Sequence, residues 1–84
     1  MSACEPRLTV YSRAWCHLCD DMIEGLKSLQ ARVPFDIQVI DVDSDPALEA
    51  LYGERVPVLT AGGGELCHYR LDYAKVNEYL SKFG

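Results

Sequence analysis

The sequence predicts an α/β domain of order β-α-β-α-β-β-α, a four-stranded mixed sheet with helices on both faces. Three observations predict it. A short alternating strand pattern near the N-terminus runs into a helical stripe, a second strand–helix unit follows, and Gly62-Gly63-Gly64 separates two apolar runs as a hairpin turn. The 84 residues are read as a single domain, 1–84, in which 1–6 is an expected flexible extension. A chain this short buries a modest fraction of its surface, and its 49% hydrophobic content is enough for a dense core.

The elements follow in order. Residues 7–11 alternate, with Leu8 and Val10 on one face, and read as a strand. From His17 to about Arg32, Leu18, Met22, Ile23, Leu26 and Leu29 recur at three- and four-residue steps, one stripe of an amphipathic helix that Gly25 weakens without breaking. Pro34 ends it. Phe35 to Val42 is rich in β-branched residues and reads as the second strand, parallel to the first through a right-handed crossover. Asp43-Ser44-Asp45-Pro46 offers a cap and a first-turn proline for a short helix to about Tyr52, closed by Gly53. Val56 to Thr60 gives a third strand with Pro57 near its start, and Glu65 to Arg70 returns antiparallel to it. Asp72 caps a last helix with apolar positions Tyr73, Val76, Tyr79, Leu80 and Phe83.

Composition narrows the function classes. A formal charge of −5, with scattered Lys and Arg, argues against nucleic acid as a partner. No apolar run approaches the ~20 residues of a membrane span, and the first nine residues carry no signal-peptide pattern. A cytoplasmic location and a monomer are expected. Four cysteines in an exported chain would suggest a disulfide framework; without an export signal, free thiols and one working pair, Cys16 and Cys19, are the better reading.

That pair sits between the first strand and the first helix. A helix N-terminus offers unpaired N–H groups and a positive dipole end, and both favour a thiolate. An unperturbed thiol is only about 3% ionised at pH 7, so such a setting speeds attack on a disulfide. One helical turn brings Cys19 under Cys16. Cys16 is expected to be exposed and to attack, Cys19 to be more buried and to resolve the mixed disulfide. Arg13 and a protonated His17 favour the thiolate, while Asp20 and Asp21 oppose it. A Cys-x-x-Cys pair also fits half a zinc site, with Cys67, His68 and His17 as the available completions and no metal ligands assigned. The strand–helix setting favours redox.

The chain resembles the glutaredoxin branch of the thioredoxin superfamily. Tyr11-Ser12-Arg13-Ala14-Trp15-Cys16-His17-Leu18-Cys19 is similar to the family's strand, basic residue and active-site turn, and Arg55-Val56-Pro57 to its cis-proline segment. The pattern also resembles small bacterial glutaredoxin-like proteins with a Cys-x-Leu-Cys-Asp motif. The resemblance implies a thioredoxin-like (glutaredoxin) fold and a dithiol–disulfide oxidoreductase acting on protein disulfides or glutathione mixed disulfides. It further implies a Val56 backbone that pairs with substrate beside Pro57. Arg13 and Arg55 would then receive glutathione carboxylates, and Asp72 would accept from its amino group. Glutathione is the candidate reductant or co-substrate, with thioredoxin reductase as the other candidate electron source, and no tightly bound cofactor is expected. Two departures stand out: His17 and Leu18 replace the family's usual proline and aromatic, and Arg70-Leu71 precedes Asp72 where a glycine pair is common.

The competing reading is a binding or adaptor module on the same fold, or a metal or Fe–S protein using Cys16. Cys4 reads as a bystander and Cys67 as a small buried or half-buried filler. Trp15 either lines a substrate groove or covers the end of the core. Tyr52, Tyr69, Tyr73 and Tyr79 read as packing residues with wet hydroxyls.

Overall fold

The structure, a computed structural model, describes residues 6–82. Cys4 and Phe83 lie outside the described residues, as do positions 1–5 of the expected extension. The elements run β1 (Arg7–Ser12), α1 (His17–Gln30), β2 (Asp36–Asp41), a 3-10 turn (Val42–Ser44), α2 (Pro46–Tyr52), β3 (Val58–Ala61), β4 (Gly64–His68) and α3 (Tyr73–Ser81). The sheet order is β2-β1-β3-β4. β1 runs parallel to β2 from Arg7 opposite Asp36 to Ser12 opposite Asp41. β3 is antiparallel to both β1 and β4, so the sheet is mixed.

Alternation along β1 separates the two faces. Leu8 and Val10 point into a cluster with Leu59, with Met22, Leu26 and Leu29 of α1, and with Val76 and Leu80 of α3. Tyr11 points the other way and stacks on Tyr52 of α2, ring centroids 4.3 Å apart. Helices therefore cover both faces, as the patterning predicts.

Boundaries differ from the sequence reading where local chemistry competes. Phe35 is buried ahead of β2, and Val42 leaves it to open the 3-10 turn, in which the Asp43 N–H donates to Asp41 Oδ1 (2.8 Å). β3 begins at Val58, after Pro57, which has no N–H for the ladder. β4 stops at His68, and Tyr69 follows with φ 67°, outside strand geometry. The hairpin turn needs left-handed residues, and Gly62 (φ 61°) and Gly63 (φ 86°) supply them. Leu18 is a correction. It is 39% exposed, while Cys19, 1% exposed, joins Met22, Leu26 and Leu29 on the buried stripe. Tyr73, placed on the apolar side of the last helix by its spacing, is 50% exposed.

Candidate functional site

Cys16 is the N-cap of α1. Its backbone is extended (φ −112°), its Sγ accepts the Cys19 N–H (3.1 Å), and its carbonyl accepts the Asp20 N–H (3.1 Å). The Cα atoms of Cys16 and Cys19 are 5.2 Å apart and their sulfurs are within bonding distance. The helix start thus places an N–H and a positive dipole end on the outer sulfur, while the inner cysteine is held in the core. Trp15, immediately before it, is fully exposed and has φ 61°, a left-handed backbone that bulky residues rarely adopt. Such strain gathers at functional turns. His17 is exposed in the first turn of α1.

Arg13, the first residue after β1, is fully engaged. Its Nε and Nη2 donate to Asp43 (3.2 and 3.1 Å), Nη2 also to Glu49 (3.1 Å), and Nη1 to the Gly53 carbonyl (3.3 Å). Those carboxylates hold its guanidinium more firmly protonated. Gly53 is required at this crossing, because a Cβ there would lie 2.6 Å from the Glu49 carbonyl oxygen. Arg55 donates to Glu65 and to the Leu51 carbonyl, and its guanidinium lies 5.6 Å over the Tyr52 ring. Both arginines that the resemblance assigns to glutathione carboxylates are thus held by carboxylates of the chain itself. Asp72 is the N-cap of α3, its Oδ1 accepting the Lys75 N–H (3.1 Å).

The Val56–Pro57 peptide is cis. The Pro57 carbonyl accepts the Tyr69 N–H (2.9 Å), whereas Val56 makes no backbone hydrogen bond among the described residues. Cys67 packs half-buried against the core and receives the Asp72 N–H (3.4 Å); burial pushes its thiol up, against the pull of that N–H. Among the described residues no group of three or more His, Cys, Asp or Glu is placed to hold a metal.

The model of the family described as Glutaredoxin-like domain (DUF836) matches residues 7–81. This chain belongs to that family. An uncharacterized protein of Mycobacterium tuberculosis is 33% identical over 82 residues, covering 92% of this chain and 84% of the relative. Among solved structures, a protein of Nitrosomonas europaea shares 43% identity at TM-score 0.85, covering 95% of this chain and 96% of the other. A protein of X. campestris shares 39% at TM-score 0.70, covering 89% and 96%. Thioredoxin 1 of Thermosipho africanus, 19% identical over 90% of this chain and 96% of its own, superposes at TM-score 0.61 and shows the shared fold alone. In this glutaredoxin-like domain of thioredoxin fold, the Cys pair occupies the β1–α1 junction.

Sequence reasoning missed a pocket between α1 and the segment that follows β4. Leu18, Tyr69, Leu71 and Tyr73 line it with Met22. Leu18 was hidden because two apolar residues, Leu18 and Cys19, compete for one stripe. No sequence signal marks Tyr69, which has a left-handed backbone, is 46% exposed and donates its hydroxyl hydrogen to the Glu54 carbonyl (3.1 Å). No helix among the described residues is long and apolar enough to cross a membrane.

Proposed function

We propose that this domain is a dithiol–disulfide oxidoreductase of the cytoplasm that reduces disulfides through Cys16 and Cys19. The observation that carries the reading is the Cys16 sulfur capping α1, on a half-buried residue beside the exposed Trp15 and within bonding distance of the buried Cys19.

The reduced Cys16 thiolate attacks one sulfur of the partner disulfide. The partner's S–S bond breaks, its leaving thiolate takes a proton from water, and a mixed disulfide remains on Cys16. Cys19, after giving up its proton, attacks the Cys16 sulfur and releases the second partner thiol. Two electrons pass from the cysteine pair to the partner, and the Cys16–Cys19 disulfide is left for an external dithiol reductant or glutathione to reduce. Placing the pair one helical turn apart makes the second attack intramolecular, so the mixed disulfide is short-lived. The Val56 backbone, without a hydrogen-bond partner among the described residues, is the strand-like surface against which an extended partner would lie.

Reduction of insulin by this protein with a dithiol reductant tests the reading. Cys16→Ser should abolish turnover, and Cys19→Ser should accumulate a mixed disulfide visible as an added mass. Unchanged turnover in the Cys16 variant would sink it.

A further inference from the structure

The loop from Gly53 to Pro57 joins α2 to β3 and carries Val56. Contacts from β4 and from the residue after it converge on this loop. The Tyr69 hydroxyl donates to the Glu54 carbonyl (3.1 Å), and the Tyr69 N–H donates to the Pro57 carbonyl (2.9 Å). Between these two, Arg55 donates to a Glu65 carboxylate oxygen and to the Leu51 carbonyl (2.9 Å), with its guanidinium over the Tyr52 ring. Residues 54, 55 and 57 are thus all held, while Val56 in their midst makes no backbone hydrogen bond among the described residues. A loop pinned on both sides of one open residue suits pairing with an incoming extended chain, because only the incomer then has to be ordered.

A register shift makes the arrangement possible. Residues three apart on a regular strand face opposite ways. Leu59 pairs with Cys67 but Thr60 pairs with Glu65, so Leu66 is an extra residue on β4. The bulge brings Glu65 and His68 to one face, where His68 Nδ1 lies 2.6 Å from the Glu65 oxygen that Arg55 does not take. The His68 ring in turn stands edge-on to Tyr69, centroids 4.6 Å apart. A single exposed ion pair contributes little to stability. The convergence of these contacts on one short loop therefore argues for placement of that loop rather than for holding the fold together.

We propose that Glu65, His68 and Tyr69 are positioning residues, which hold the loop so that the Val56 N–H and C=O stand ready for the backbone of a disulfide-bearing partner. The proposal rests on the oxidoreductase reading and deepens it, by naming what sets the Val56 surface. Losing the clasp should hurt partners that have a peptide group to pair more than disulfides that have none.

The test compares oxidation of the reduced full chain by insulin with its oxidation by bis(2-hydroxyethyl) disulfide, which has no peptide group. Tyr69→Phe removes the hydroxyl and keeps the ring; it should lower the ratio of the two rates about threefold or more, and Glu65→Ala should lower it comparably. Glu65→Gln retains an oxygen for Arg55 and should recover part of the loss. A ratio unchanged in all three variants, or two rates that fall together, would overturn the proposal. The Val56 amide shift on adding a peptide with Ser in place of Cys reads the same positioning without exchange, and Tyr69→Phe should weaken that peptide by a similar factor. A parent chain that neither disulfide oxidises loses the oxidoreductase reading, and the peptide titration then decides the positioning by itself. Weaker peptide binding in Tyr69→Phe keeps it; equal or absent binding in parent and variant removes it.

Discussion

Cys16 and Cys67 carry the same group into opposite surroundings. Cys16 receives an N–H at the positive end of a helix, whereas Cys67 is half-buried and its thiol is pushed up chiefly by that burial. In the reduced protein at pH 7, iodoacetamide should therefore alkylate Cys16 about tenfold or more faster than Cys67. Peptide masses taken along a time course measure this, and equal rates would contradict it. The half-buried place of Cys67 agrees with one of the two positions, buried or half-buried, that the alternation of residues 66–68 suggests. Leu18 was misread for a physical reason: a helical stripe is broad, and only the tertiary neighbours decide which of two adjacent apolar residues turns inward. Here Cys19 does, leaving Leu18 at the pocket.

Between elements, Arg13 ties the exit of β1 to the 3-10 turn and to both ends of α2 through Asp43, Glu49 and Gly53. This tie holds the start of the turn that leads to Cys16. Gly53→Ala should lower stability by about 1–3 kcal/mol, since its Cβ would meet the Glu49 carbonyl at 2.6 Å; chemical unfolding measures it. Arg13→Met should lower the melting temperature more in low salt than in high, because its partners are exposed carboxylates. A salt-independent loss would assign the effect to packing instead. None of this was readable from the chain, because Asp43 is 30 residues from Arg13 and its pairing depends on the parallel β1–β2 register. Gly25 is similar: read as a weak helix position, it is where Leu71 and Tyr73 close on α1, with a Cβ there 2.7 Å from Leu71 Cδ2.

Over the whole molecule, element order and both faces of the sheet were legible because strand and helix periods alternate cleanly along the chain. The order β2-β1-β3-β4 was not, since it depends on β3 finding β1 across more than forty intervening residues. At the β4 edge, Glu65 accepts from Arg55 and His68, and its carboxyl is held below its ordinary 4.5, first by His68 and then by Arg55. The unfolded chain therefore binds that proton more readily than the folded one. The contribution is complete above about pH 4.5 and is lost as pH falls through the lower folded value. Urea midpoints should accordingly drop on that side, and Glu65→Gln should flatten the drop.

Trp15 has a consequence of another kind. It is the chain's single tryptophan, fully in water and bonded directly to the residue that would exchange electrons. A disulfide quenches a neighbouring indole, so reduction of the pair should brighten the protein, and a partner settling over the turn should shift the emission toward the blue. The chain carries its own optical reporter at position 15, and each turnover can be followed without a label.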